Sequence, residues 1–205
     1  MSVYKLLSLL LSYPDAELFA LRGEIAAAAA RLPVSGPAAE IQTFLAAAAD
    51  DVLETAQADY VGTFDFNRRA SLHLTYPYQG DRRQRGVALL KLRRLYQRLG
   101  LELVSGELPD YLPLLLELAA MLAPSEAVEL LGEFRVAIEL ARAALEHQGS
   151  PYRHLFSALS QLLGPPSEDE LADLMRLAAQ GPPEEEVGLE PFAPPELMPA
   201  AGVSA

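Results

Sequence analysis

The chain has 205 residues and 51% apolar content, enough for one domain with a sizeable core. It has no cysteine, which excludes disulfides, Cys-ligated zinc and iron–sulfur clusters. The formal charge of −12 disfavours nucleic-acid binding, because phosphate neutralisation needs a net basic face. Nine acids and one base fall after Pro165, so the charge left in residues 1 to 164 is only −4.

Lys5 followed by Leu6 to Leu11 imitates a secretory signal, yet the apolar stretch stops at Tyr13-Pro14-Asp15, with Glu17, Arg22 and Glu24 close behind. An h-region needs roughly 7 to 15 apolar residues, so export is not expected. The alanine block Ala26 to Ala30 is flanked by Glu24 and Arg31 and falls short of the roughly 20 apolar residues of a bilayer span. The expectation is a cytoplasmic protein that is not integral to a membrane.

Helical periodicity dominates, and no period-2 run of strand length is bounded by turn residues. Breaks fall at Tyr13-Pro14-Asp15, 33–37, 65–80, 100–109, Ala123-Pro124-Ser125, Gly149-Ser150-Pro151 and Gly164-Pro165-Pro166. They predict an all-α, single-domain bundle of about seven or eight helices. Asp81 is positioned to cap a helix from Arg82 to Leu99, Ser125 and Ser150 precede helix starts, and Gly100 and Gly164 suit helix ends.

In the helix from Arg82, the spacing of Leu89, Leu92, Tyr96 and Leu99 makes one buried stripe, with Lys91, Arg94 and Arg98 projecting away. Arg85 shares the azimuth of the stripe, so it is expected to be partly buried and to need a carboxylate. Asp65, Glu107 and Asp110 are the candidates. Residues 165–205 form an acidic, proline-rich tail, expected to be disordered apart from a possible short helix over 167–179.

Chemistry is scarce. No GxGxxG, GxxxxGK[ST] or GxSxG motif occurs. His73, His147 and His154 are not at metal-binding spacing, and Glu184-Glu185-Glu186 reads as a solubilising run. No catalytic residue, metal or cofactor is expected. Two segments look constrained instead. One runs from Asp59-Tyr60 through Phe64-Asp65 to Ser71-Leu72, and the other is Glu107-Leu108-Pro109-Asp110-Tyr111-Leu112-Pro113. Long breaks inside a helical domain are often functional. The plainer alternative makes Pro109 a first-turn proline and Asp110 an acid that suits the helix dipole.

Taken in order, these segments resemble the NarJ-type chaperones of respiratory nitrate reductase, within the molybdoenzyme-specific chaperones that also serve dimethyl sulfoxide and trimethylamine N-oxide reductases. The resemblance is carried by Leu11-Ser12-Tyr13-Pro14-Asp15, by Tyr60 with Phe64-Asp65 and Ser71-Leu72, and by Gly80-Asp81 with Arg83 and Arg85-Gly86. It continues through Gly100-Leu101, Glu107-Leu108-Pro109-Asp110 with Leu112-Pro113, and Ser125-Glu126-Ala127-Val128. It covers about residues 4 to 163. Tyr111 stands where members usually carry histidine, and Tyr76-Pro77 where they carry an acidic-histidine pair, so no proton-switch role is carried over.

The resemblance implies a non-enzymatic chaperone that binds the N-terminal segment of the apo catalytic subunit and holds it competent for molybdenum-cofactor insertion. It also implies that docking to the membrane anchor is delayed, and that the chaperone is no permanent subunit of the mature enzyme. Helix-in-groove recognition would place Tyr60, Phe64, Asp65, Glu107, Asp110 and Tyr111 at or near a peptide groove, with Arg83 and Arg85 bracing the loops. A sister chaperone for another molybdoenzyme is the alternative.

Overall fold

The computed structural model describes residues 1–76, 83–103 and 106–180. Among them are eleven α-helices, one 3-10 turn and one isolated antiparallel bridge, His73 with Tyr111. The helices are α1 (Val3–Leu11), α2 (Ala16–Ala20), α3 (Arg22–Ala29), α4 (Pro37–Ala47), α5 (Leu53–Phe64) and α6 (Arg83–Arg98). They continue with α7 (Leu112–Ala119), α8 (Pro124–Gly132), α9 (Arg135–Gln148), α10 (Arg153–Leu163) and α11 (Glu168–Gln180). The protein is all-α, and part of the excess over the expected helix number comes from a chain that bends at Leu21 to split α2 from α3.

Local chemistry sets the boundaries. Ser2 Oγ accepts from Lys5 N at 3.2 Å to start α1, which stops before Pro14 because proline disfavours helical backbone at Tyr13. Asp15 Oδ1 accepts from Leu18 N at 2.8 Å and caps α2. Helix α8 starts two residues earlier than expected, with Pro124 in its first position and Ser125 inside the helix rather than preceding it, and the Glu126 carboxylate accepts from Ala123 N. The first-turn proline of α7 is Pro113, whereas Pro109 lies buried in the turn before it. Gly149 ends α9 in the left-handed region at φ +68°, which favours glycine.

Helix α10 lies at the centre, packed on α4 and α9, and α1 packs along α7. Leu6, Leu7 and Leu11 of α1 meet the same core as Leu112, Leu115 and Leu116 of α7, Ile138 of α9 and Phe156 of α10. Two ties fix the centre: His154 Nδ1 lies 2.7 Å from Glu40 Oε2 of α4, and buried Glu139 of α9 accepts from Ser160 of α10. Of the stripe expected on α6, Leu92 and Tyr96 are buried, but Leu99 is exposed at the helix end.

The region after Gly164 contributes a real element. Ser167 and Glu170 cap α11 reciprocally, with Glu170 N donating to Ser167 Oγ and Ser167 N donating to Glu170 Oε2. Arg135 of α9 then ties three pieces together. Its guanidinium donates to the carbonyls of Leu163 and Gly164, and its Nε sits 3.2 Å from Glu170 Oε1. Leu177 is buried against the domain. The expected disorder of 181–205 and the cap at Asp81 concern residues outside those described.

Candidate functional site

Helix α5 delivers Tyr60 and Phe64 inward, four residues apart on one face. Both are buried in an aromatic cluster: the Tyr60 ring lies 5.5 Å from Tyr13 and 4.9 Å from Phe64, and Phe64 lies 4.8 Å from Tyr152. Tyr60 also caps a helix. Its hydroxyl donates to Leu11 O at 3.0 Å, satisfying a carbonyl that the end of α1 would leave orphaned. With that single proton committed, the Tyr111 hydroxyl, 2.9 Å away, must be the donor to Tyr60. Burial, and then Tyr111, push the Tyr60 phenol far above the ordinary range, so it is neutral at any physiological pH.

Around Tyr111 the sequence-predicted residues converge. Burial raises its phenol, and the exposed carboxylates of Glu107 and Asp65 add to the rise. Asp110 faces the other way, with no exposed surface at all. Its Oδ2 accepts from Thr75 Oγ1 at 2.6 Å and from Thr75 N at 3.2 Å, and its Oδ1 lies 3.3 Å from His73 Nδ1. Arg85 Nη2 is 3.6 Å from Oδ2, and Arg85 Nε donates to Thr75 Oγ1 at 3.2 Å. Asp110 is therefore the carboxylate that Arg85 demands.

Burial by itself would raise the Asp110 carboxyl, but the bonds from His73 and Thr75 and the neighbouring Arg85 outweigh it and hold the group below the usual range. Two backbone bonds clamp the same spot, Leu74 N to Asp110 O and Leu112 N to Leu72 O. Among the predicted residues, then, Tyr60, Phe64, Asp65, Glu107 and Tyr111 come together, while Asp110 and Arg85 lock residues 72–76 onto the start of α7. Arg83 opens α6, and its side chain lies outside the described residues.

The concave surface next to this cluster is formed mostly by residues the sequence reading missed. A groove of about 310 Å³ runs between the α1–α2 turn, α3, α4 and α5. Leu9, Leu10, Leu18, Phe19, Phe44 and Leu45 supply apolar wall, and Tyr152 joins the groove to the Tyr60–Phe64 cluster behind it. Ala26, Ala48, Ala49 and Ala56 leave it open, because a methyl group fills so little of the space between helices. Its polar rim is Asp51 and Asp59 on one part and Arg22, whose guanidinium stacks 4.2 Å over Phe19, on another. Burial first, then Asp59 and Asp50, raise the Asp51 carboxyl. Gln57 Nε2 donates to Pro14 O at 3.0 Å and holds the turn against α5.

Such a groove has the form needed to take the apolar face of a helix or extended segment, with carboxylates to meet a cation beside it. Among the described residues no group of three or more His, Asp or Glu is placed to hold a metal ion, and no helix is long and apolar enough to cross a membrane.

Residues 28–158 match the family model described as nitrate reductase delta subunit. The chain is 39% identical over 159 residues to the nitrate reductase molybdenum cofactor assembly chaperone NarJ of Escherichia coli K12, covering 77% of this chain and 67% of that protein. It is 35% identical over 158 residues to the "Probable nitrate reductase molybdenum cofactor assembly chaperone NarJ" of Bacillus subtilis, covering 77% and 78%. It is 36% identical to the nitrate reductase-like protein NarX of Mycobacterium tuberculosis H37Rv, of which the aligned 159 residues span only 24%.

Proposed function

The chain belongs to the nitrate reductase delta subunit family, and from that premise we propose that it is an assembly chaperone for respiratory nitrate reductase. It binds the N-terminal segment of the apo catalytic subunit, keeps that subunit open for insertion of the molybdenum cofactor, and delays docking to the membrane anchor. It works in the cytoplasm, performs no catalysis, keeps no cofactor of its own and leaves the mature enzyme. The names of the NarJ relatives support the chaperone role, and the apolar groove with its carboxylate rim is the observation that supports peptide capture.

Magnitudes divide the labour. Micromolar binding requires about 8 kcal/mol, whereas an exposed ion pair contributes roughly 0 to 1 kcal/mol. The leucines and aromatics of the groove therefore carry the affinity. Asp51 and Asp59 speed encounter with a basic amphipathic peptide and fix its direction. Tyr60 and Phe64 act from behind, shaping the wall through Tyr152, while Asp65, Glu107 and Tyr111 offer an adjoining acidic patch for the peptide's basic end. Asp110 and Arg85, with Arg83 beside them in sequence, serve by holding the loops.

Co-expression with a nitrate reductase catalytic subunit tests this reading. The intact subunit should co-purify with the chain, and the subunit lacking its first few dozen residues should not. Equal recovery of both would refute peptide capture.

A further inference from the structure

The groove between the α1–α2 turn and helices α3 to α5 contains a polar group that the fold itself leaves unused. Tyr152, at the start of α10, lines the groove while only 7% exposed. Phe44, Tyr60 and Phe64 hold its ring, at centroid distances of 5.1, 6.1 and 4.8 Å. Among the described residues its hydroxyl has no hydrogen-bond partner, and only Tyr96 Oη and Ser150 Oγ are both unpartnered and sealed from solvent, so the Tyr152 hydroxyl opens on the groove. A phenol buried this far ordinarily finds a partner. Burial, and then the carboxylates of Asp59 and Asp51, push its ionisation above the ordinary range, which keeps the hydroxyl neutral and sets both acids beside it. Asp59 also acts on Asp51, so the three groups share one part of the rim. Neither carboxylate is in an ion pair among the described residues.

We propose that the Tyr152 hydroxyl, with Asp51 and Asp59, forms a subsite for one arginine or lysine side chain of the client segment, a refinement that rests on peptide capture at this groove. The stem of that side chain lies against Ala56 and Pro151, and its head donates to the tyrosine oxygen and to the carboxylates. An acidic group would face two negative charges there. A divalent metal would lack ligands, because no group of three or more His, Asp or Glu among the described residues is placed to hold one. A neutral side chain would cover both carboxylates without supplying a counter-charge. The hydroxyl contributes selection. Exposed acids attract any cation, whereas an oxygen fixed by three aromatic rings favours the head that settles in one place.

The test is a double-mutant cycle on the full chain, titrated calorimetrically with the N-terminal peptide of a nitrate reductase catalytic subunit. Tyr152→Phe keeps the ring and removes only the oxygen, so thermal unfolding should match the parent's while peptide affinity falls about tenfold. The basic residues of the peptide are then replaced by methionine one at a time. One position should emerge whose loss weakens binding to the parent about tenfold and cancels the effect of Tyr152→Phe. Parent-like affinity in Tyr152→Phe, or the same further loss with every methionine peptide, would overturn the subsite and leave capture at the groove standing. A lowered unfolding temperature in Tyr152→Phe would also count against it, since the hydroxyl would then serve the fold. A peptide that the parent does not bind, or that binds unchanged to the chain carrying Ala26→Trp and Ala49→Trp, would overturn capture at the groove and the subsite together.

Discussion

Asp110 shows how one buried carboxylate can organise a surface it never reaches. Its oxygens are shared among Thr75, His73 and Arg85, so removing it takes the acceptor from the Thr75 hydroxyl and the neighbouring negative charge from the Arg85 guanidinium. Asp110→Ala should destabilise the fold by about 3 kcal/mol at pH 7, measured by urea denaturation. Because the folded carboxyl lies below its unfolded value, this contribution is present above the unfolded pKa and disappears as pH falls through the folded one. The gap between variant and parent should therefore close in acid. Asp51 has the opposite sign: its folded carboxyl is raised, so its ionised form costs stability at neutral pH. Asp51→Asn should stabilise the unbound chain by about 0.3 kcal/mol at pH 7 while slowing association of a basic peptide. The pairing of Arg85 with a carboxylate was legible, because its azimuth on α6 put a charge among leucines. Which of three acids it took was not, since the choice depends on the clamp between residues 72–74 and 110–112. Nor did the sequence reveal that Asp110 points inward, because a Pro-Asp pair before a helix reads equally well as an exposed first turn.

Among the elements, helix existence was legible and helix starts were less so. Periodicity located α6, α7 and α10, whereas α8 with α9, like α4 with α5, fell between a single pair of expected breaks and read as one helix each. The short α2 and α3 escaped as separate units, since the bend at Leu21 has neither proline nor glycine to announce it. Helix α1 carried a hidden signal. Its leucines occur on more than one side, and a helix apolar all round must face apolar surface twice. Leu6, Leu7 and Leu11 fill the core, while Leu9 and Leu10 turn to the groove. Helix α11 is held by Leu177, its capping box and the Arg135–Glu170 pair. Glu170→Ala removes the carboxylate half of the capping box and the pair with Arg135, so hydrogen exchange should accelerate across 168–180 with α9 and α10 unchanged. Accelerated exchange throughout α9 and α10 would mean that α11 is integral to the central packing rather than added onto it.

For the whole molecule, the ordered motifs gave the family and helical periodicity the all-α class, but the groove could not be seen in any one stretch of sequence. It is assembled from α1 to α5 together with Tyr152 nearly a hundred residues later, and the residues that make it hollow are alanines, which carry no motif. Of the motif residues, Tyr60 and Phe64 frame the concave surface from behind through Tyr152, and Asp110 is buried among His73, Thr75 and Arg85. The most direct test is to fill the groove without disturbing the frame. Ala26 and Ala49 are exposed on its walls, and Ala26→Trp with Ala49→Trp should leave the thermal unfolding of the chain within a few degrees of the parent. Titrated calorimetrically with the N-terminal peptide of a nitrate reductase catalytic subunit, the filled chain should bind at least about tenfold more weakly than the parent. Unchanged affinity in a folded, filled chain would contradict capture at this groove.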